Sequence, residues 1–419
     1  MERFDAIIVG AGPAGSTTAH RLASAGARVL LLDKAQFPRE KPCGGGVTVR
    51  ALLELDIDIR PVVEHAVNRV EFSFRGHRGV RRGGPRLLAY MTQRSRLDHF
   101  LVEQALAAGA TFRDGVKVSE ISERGVRVDG ERIGAEVIIG ADGVNGASAR
   151  SLGLGGDNVY AVALEGNLPY SQVADPDRWQ GALTLELGAI RGGYGWIFPK
   201  GDHLNIGIGG WESEGPGLRE HFTAFCRRCG LDNTKIAGLR GYRLVARRPG
   251  SPLAGSRALL VGDAAGLVDP LFGDGMSAAF VSARLAAATA LDFLAGRIPS
   301  LAPYGHAVIA ELGPAIGFSW DAKRALDRLP RTVTVGVLSP PGWDVIEKMI
   351  RGEMPEPRVE RGLPGAAIWG LEALALLAGR PGRAYRTEAG TQRRLSAERF
   401  PPATGHADFA KRTRDQVAT

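Results

Sequence analysis

The N-terminal stretch Met1–Lys34 constrains the fold of this chain more than any other. An apolar run, Ala6–Val9, leads directly into Gly10-Ala11-Gly12-Pro13-Ala14-Gly15. A helix-patterned segment, Ser16–Ala25, follows, and then a second apolar run, Val29–Leu32, that ends in Asp33. The order spells a strand, a glycine turn, a helix and a parallel strand closing on an acid. Gly10 permits the tight turn, Gly12 lets backbone approach a pyrophosphate, and Gly15 lets helix and strand pack closely. The N–H groups at the helix start face phosphate charge, and Asp33 can accept hydrogen bonds from a ribose. The spacing therefore predicts a dinucleotide-binding βαβ unit.

With 419 residues the chain can bury a large core, and two domains are the natural expectation. The first strand starts too close to Met1 for a signal peptide to be fitted. The apolar run Ala366–Ala378 is too short to span a bilayer and contains Glu372. These readings predict a cytoplasmic protein, or one held peripherally on the inner face of the membrane. Three cysteines, Cys43, Cys226 and Cys229, do not make a disulfide framework. Cys226 and Cys229 have CxxC spacing without a second pair, so helix packing is expected there. No histidine pair or Cys/His cluster has ligand spacing, so no metal is predicted.

Net charge is +8, and residues 379–419 carry nine Lys/Arg against four Asp/Glu. A second basic cluster comprises Arg75, Arg78, Arg81, Arg82 and Arg86. Such patches suit an anionic membrane surface or a phosphorylated substrate; no nucleic-acid motif accompanies them. The clustered arginines are a candidate holder for a diphosphate or lipid head group.

Along the chain, residues 66–91 alternate like short antiparallel strands, and Val47–Leu55 reads as helical. Arg94–Ala108 has helical spacing, and strands are expected near 110–121, 125–129 and 132–141. From 159 to 250 long alternating runs with glycine turns predict an antiparallel sheet. A buried strand, Ala258–Val261, then enters an Ala-rich helix, Met276–Leu294, with mostly helical chain beyond. The expected organisation is α/β: a discontinuous Rossmann-type nucleotide-binding domain (1–60, 92–158 and 251–300) with an inserted antiparallel-sheet substrate domain (61–91 and 159–250). A helical C-terminal region (301–400) and a flexible tail (401–419) complete it.

Three separated motifs line up: GAGPAG (10–15), GADG (140–143) and VGDAAG (261–266). The third suits flavin chemistry. Asp263 can reach a ribityl hydroxyl, and Gly273-Asp274-Gly275-Met276 opens a helix whose N–H groups would stabilise charge on a reduced ring. Together these motifs resemble those of FAD-dependent oxidoreductases related to the aromatic hydroxylases. Two more stretches narrow the resemblance. Lys41-Pro42-Cys43-Gly44-Gly45-Gly46 is similar to the KPCGG loop of the geranylgeranyl reductase family. Tyr194-Gly195-Trp196-Ile197-Phe198-Pro199, followed by Asn205-Ile206-Gly207-Ile208-Gly209, resembles that family's YxWxFP…VGxG signature. The likeness covers residues 3 to 330.

The resemblance implies an FAD site built on Gly10, Gly12, Pro13, Ala14, Gly15, Asp33, Lys34, Arg94 and Val118. It adds Asp142 and Gly143, then Gly262 and Asp263 on the ribityl chain. Cys43, Gly44, Gly45, Pro270, Gly273, Gly275 and Met276 would border the flavin ring. The DG motif departs from the superfamily's DGxxSxxR: Gly146 stands at the Ser position and the arginine comes one place late, as Arg150. The electron donor is therefore left open between NAD(P)H and another reductant.

Tyr194, Trp196 and Phe198 share one strand face by their period of two, a face suited to a long apolar substrate, with Pro199 closing it. Cys43 and Tyr194 are the candidate catalytic groups. The expected reaction is saturation of C=C bonds in a polyprenyl chain carried on a diphosphate, a lipid or a quinone. Two alternatives stay open from the residues: an aromatic or polyketide hydroxylase using oxygen, and a membrane-associated flavoprotein electron carrier. Oligomeric state is not set by the sequence.

Overall fold

A computed structural model describes residues 2–354, 357, 361–376, 379 and 382–396. The expected flexible tail, 401–419, lies outside the described residues. The glycine fingerprint folds as predicted, with strand Arg3–Val9, helix Pro13–Ser24 and strand Val29–Leu32. Pro13 occupies the first turn of its helix, where its missing N–H costs nothing. Strand Arg3–Val9 pairs in parallel with Val29–Leu32 on one side and with Glu131–Gly140 on the other. Thr111–Arg113 and Ala258–Leu260 extend the sheet in parallel at its two ends. Gly125–Val128 and Val118–Ser122 add an antiparallel edge. The parallel strands are near-continuous apolar runs because both faces are buried, one under helices Pro13–Ser24, Arg94–Ala107 and Met276–Leu294 and the other against Ile121, Val126, Val128 and Leu152. The Ala-rich helix Met276–Leu294 packs on helix Pro13–Ser24, its small side chains allowing close approach. Among the described residues it is the one helix long and apolar enough to cross a membrane. Here Ala279, Phe280, Ala283, Ala286 and Ala290 are core residues.

The second sheet has seven strands, ordered Ala237–Arg247, Asn158–Pro169, His203–Trp211, Tyr194–Pro199, Leu183–Leu187, Arg69–Phe74 and His77–Gly83. It is not wholly antiparallel, because Leu183–Leu187 runs parallel to Arg69–Phe74. Residues 61–91 also divide differently from the expectation. His65–Val67 and Ala89–Met91 leave the large sheet and form a small third one, in which Gly46–Thr48 and His65–Val67 flank the central strand Ala89–Met91. The predicted helix over Val47–Leu55 shrinks to Val49–Leu52, since Val47 is taken into that strand.

One face of the large sheet packs Leu164, Leu204, Ile206 and Ile208 against Phe222, Phe225 and Cys226 of helix Leu218–Arg228. This explains the CxxC pair: Cys226 is buried in an apolar core, and burial pushes its thiol up to about 12. The other face looks into the molecule. Among the described residues, five helices, Ala302–Arg328, Pro330–Leu338, Pro340–Ile350, Gly362–Leu376 and Gly382–Ser396, form the C-terminal region. Arg82 donates to the Leu338 carbonyl, and Arg86 pairs with Glu347 and Glu353. Two arginines expected to hold a head group instead tie the sheet to these helices.

Candidate active site

A cavity of about 1160 Å³ runs from the glycine fingerprint to the C-terminal helices. Its wall is the inward face of the large sheet. Register places Glu165, Gly207, Trp196, Leu185 and Phe72 in one cross-strand row, and Ala163, Gly209, Tyr194 and Leu187 in the next. The period-two aromatics therefore face the cavity as expected. Gly207 makes this possible: a Cβ there would come within 2.0 Å of the Trp196 ring, which lies over the bare backbone. Trp196 Nε1 donates to Asn205 Oδ1 at 2.8 Å, fixing the indole. Tyr194 spends its hydroxyl on the Phe272 carbonyl, and burial raises its phenol well above the ordinary value. Pro199 is buried at the strand end and does not line the cavity.

At the other end the fingerprint makes a bare platform. A Cβ at Gly10 would meet the Ala141 carbonyl oxygen at 2.3 Å, and one at Gly15 the Gly10 carbonyl oxygen at 1.9 Å. Gly12 faces open space bounded by the Arg39 guanidinium. The helix it opens has no side-chain cap and no acid in its first turn. Uncapped N–H groups beside a cation and an open glycine suit a pyrophosphate. Pro13, Ala14, Gly143, Gly262, Asp263 and Pro270 line the continuation of this path. Asp263 faces Lys41 Nζ at 3.7 Å. Cys43, Gly44, Gly45, Arg94, Gly273, Gly275 and Met276 surround its inner end. These residues fit an extended FAD, the diphosphate at Gly12 and the ring beside the Cys43 loop.

Several residues predicted to contact the cofactor also make hydrogen bonds within the protein. Asp33 accepts the N–H groups of Ala11 at 2.8 Å and Ala35 at 2.9 Å, so its carboxylate shapes the glycine loop. Asp142 accepts from Ala147 N, Ser148 N and Ser148 Oγ, at 2.8, 2.9 and 2.9 Å. Gly146 follows from that arrangement, because a Cβ there would stand 2.1 Å from the Asp142 carboxyl. Ser148 supplies, two places later, the hydroxyl missing at 146. The N–H of Met276, expected to face the ring, is capped by Asp274 Oδ1 at 2.9 Å. Val118 packs beside the core of the nucleotide-binding sheet, and Lys34 lies exposed; neither lines the cavity. Arg94 is buried and doubly bonded to Asp98 at 2.7 and 2.8 Å, with Cys43 alongside.

Three residues escaped the sequence reading. Arg39 bridges the Asp98 carboxylate, at 3.0 Å, toward Asp33, at 3.9 Å, and stacks over Phe37. Lys200 is buried, which brings its ammonium down to about 8, and it donates to the carbonyls of Gly44 and Thr92. Glu165 is buried with Oε1 on the Cys43 N–H at 2.6 Å, and desolvation pushes its carboxyl up to about 7. All three lie outside the glycine and aromatic motifs that marked the rest.

Comparisons with known proteins agree with this geometry. Residues 3–166 match the FAD binding domain family. The menaquinone reductase of Mycobacterium tuberculosis is 35% identical over 312 residues, covering 68% of this chain and 75% of that protein. The geranylgeranyl diphosphate reductase of Rhodobacter capsulatus is 32% identical over 324 residues, covering 71% and 78%. A crystal structure of a geranylgeranyl bacteriochlorophyll reductase-like protein from Thermoplasma acidophilum superposes with a TM-score of 0.74 at 24% identity. It covers 89% of this chain and 100% of that one, which establishes the shared fold.

Proposed function

Because the chain belongs to the geranylgeranyl reductase family of FAD-dependent oxidoreductases, we propose that it saturates C=C bonds of a polyprenyl chain. The observation that carries this reading is the long apolar cavity between the flavin loops and the C-terminal helices. Bound flavin would supply hydride chemistry; the protein's part is to lay an alkene beside it and exclude water. Tyr194, Trp196 and Phe198 offer an aromatic wall along which a prenyl chain can slide, and their faces favour developing positive charge. An isolated alkene does not accept hydride unaided, so a proton must reach its second carbon.

The head group is best accommodated outside. The cations along the cavity wall already have partners: Arg94 with Asp98, Arg50 with Asp274, Lys41 with Asp263, Arg243 with Glu212, and Lys323 with the Gly192 carbonyl. A buried diphosphate would have to break one of these. At the far end, Leu363 both lines the cavity and is exposed, and Trp369, Leu376 and Val335 are exposed with it. Exposed Arg324, Arg328, Arg331 and Arg361 lie on the same helices or beside them. An apolar patch among cations suits an anionic lipid bilayer from which a prenylated lipid enters tail first.

The test is anaerobic. Chemically reduced holoprotein is offered prenyl diphosphates, prenylated glycerolipids and menaquinones, and products are read by mass spectrometry. The reading expects a gain of two hydrogens per bond in at least one class, with the membrane lipids favoured. No gain in any class would overturn it; a flavin adduct formed only with oxygen and substrate would support a hydroxylase instead.

A further inference from the structure

The site needs a proton at the alkene's second carbon, and the Tyr194 hydroxyl is committed to the Phe272 carbonyl. A second group in reach of the Cys43 loop has the chemistry. Glu165 stands in the same cross-strand row as Trp196, on the cavity face of the large sheet. It is 7% exposed, and Oε1 takes the Cys43 N–H. Its second oxygen, Oε2, is buried with only the Asn205 side-chain amide to turn to, and that amide already donates to Asn167 Oδ1 at 3.0 Å. A carboxylate with an unsatisfied buried oxygen is costly, whereas a neutral carboxylic acid is tolerated.

We infer that Glu165 is the proton reserve of this site, holding as a neutral acid the proton that restores the Cys43 thiol after the thiol has protonated the substrate. The inference rests on the reductase reading for its chemistry, though not for its electrostatics. In balance, a bound reduced flavin would supply the hydride, and with it the two electrons, at one alkene carbon, while Cys43 gives its proton at the other, so that the π bond is replaced by two C–H bonds. The sulfur is left as a thiolate beside Arg94. Glu165 then returns a proton to sulfur and becomes a carboxylate, which water reprotonates.

The surroundings suit that cycle. Lys200, at the end of strand Tyr194–Pro199, and Arg94, at the start of its helix, both favour the charged form of Glu165. Asn205 on the adjacent strand does the same, while the phenol of Tyr242 faces both Glu165 and Cys43. Glu64, like Glu165, favours the charged form of Lys200. Burial outweighs these contributions and leaves the carboxyl poised near neutrality, where a proton can be held and released.

Two readouts test the inference, one of them independent of turnover. In oxidised holoprotein, Cys43 is alkylated with iodoacetamide across pH 5–9 (roughly the span of the two groups,), and its peptide is quantified. An ionised Glu165 opposes thiolate formation, so Glu165→Gln should move the alkylation profile to lower pH while Glu165→Asp stays close to wild type. Superimposable wild-type and Gln profiles would overturn the inference. In turnover with whichever prenyl substrate wild type reduces, Glu165→Gln should lose about 10²-fold in kcat. KM and the flavin spectrum should hold, and the fall in kcat above neutral pH should disappear. An unchanged pH profile would overturn the inference, whereas a wild type that reduces no prenyl substrate overturns the reductase reading alone. If neither variant folds, infrared difference spectra of wild type decide. A protonated carboxyl band that fades near neutral pH supports Glu165, and absence of that band at acid pH overturns it.

Discussion

Lys200 Nζ lies 2.6 Å from the carbonyl oxygen of Gly44 and holds the Thr92 carbonyl at 3.0 Å with the same ammonium. Thr92 N in turn donates to the Gly45 carbonyl at 2.9 Å. The loop that borders the flavin is thus clamped from below by Lys200 and from the side by Glu165. Burial depresses the lysine, so the folded protein binds fewer protons than the unfolded chain between about pH 8 and the lysine's ordinary value near 10.5. Stability contributed at this site therefore rises with pH across that window. Lys200→Met removes the titration. Melting temperatures of the two holoproteins should diverge in favour of wild type as pH climbs from 8 toward 10; parallel curves would refute the assignment.

Gly45 carries the loop's tightest turn. Its φ is +66°, and a Cβ would stand 2.0 Å from the Thr92 carbonyl oxygen. Gly45→Ala must displace the loop or break the Thr92 contacts, at about 1–3 kcal/mol. The expected result is protein that folds, with the fingerprint sheet intact, but binds FAD at least tenfold more weakly (about 1.4 kcal/mol,). Titration of apoprotein by flavin fluorescence measures it.

Gly207 exists for Trp196. A methyl group at 207 would force the indole off the backbone and into the cavity, an overpacking that costs about 1–3 kcal/mol. Gly207→Ala should therefore raise KM for prenyl substrates, most for the longest chains, while flavin absorbance stays as in wild type. An equal effect on all chain lengths would show that the indole does not border the substrate path.

Much of this site was legible in sequence, and the limits have physical causes. Glycine spacing announces a turn because only glycine adopts φ of +108° at Gly10 without strain. Period two placed Tyr194, Trp196 and Phe198 on one face because strands allow nothing else. What the pattern could not show is which carboxylates the fold spends on itself. Asp33 and Asp142 read as ligand groups in the chain, and in the fold each also holds backbone N–H groups. Conversely Glu165 reads as an ordinary polar position in an alternating strand; its burial beside Cys43 depends on a loop 122 residues away. The partial third sheet was missed for a similar reason, since Gly46–Thr48 becomes a strand only by meeting Ala89–Met91.

The DG motif gives a prediction against the superfamily pattern. Restoring serine by Gly146→Ser would drive a Cβ against Asp142 and disrupt the bonds to Ala147 and Ser148. Loss of such a cap costs about 0.5–2 kcal/mol. The variant should melt several degrees lower and gain no NAD(P)H-dependent flavin reduction. Faster reduction by NADPH in stopped-flow would show instead that Gly146 sets the donor.

The C-terminal helices carry the last prediction. Helix Gly362–Leu376 is apolar on nearly all sides, and one face walls the cavity while Leu363, Trp369 and Leu376 stand exposed. A helix serving only as a lid would gain nothing from an exposed tryptophan, whereas an interfacial helix places such a ring among lipid head groups. The paired change Trp369→Ser and Leu376→Ser, at two exposed positions that do not line the cavity, should abolish flotation with vesicles of phosphatidylglycerol and phosphatidylcholine. Flotation of wild type should weaken with salt, because the flanking arginines act through a screened potential. Activity on detergent-dispersed prenyl substrate should survive the double change, since neither side chain contacts the flavin loops. Wild-type protein that stays out of such vesicles at low salt would remove the bilayer from the substrate's route.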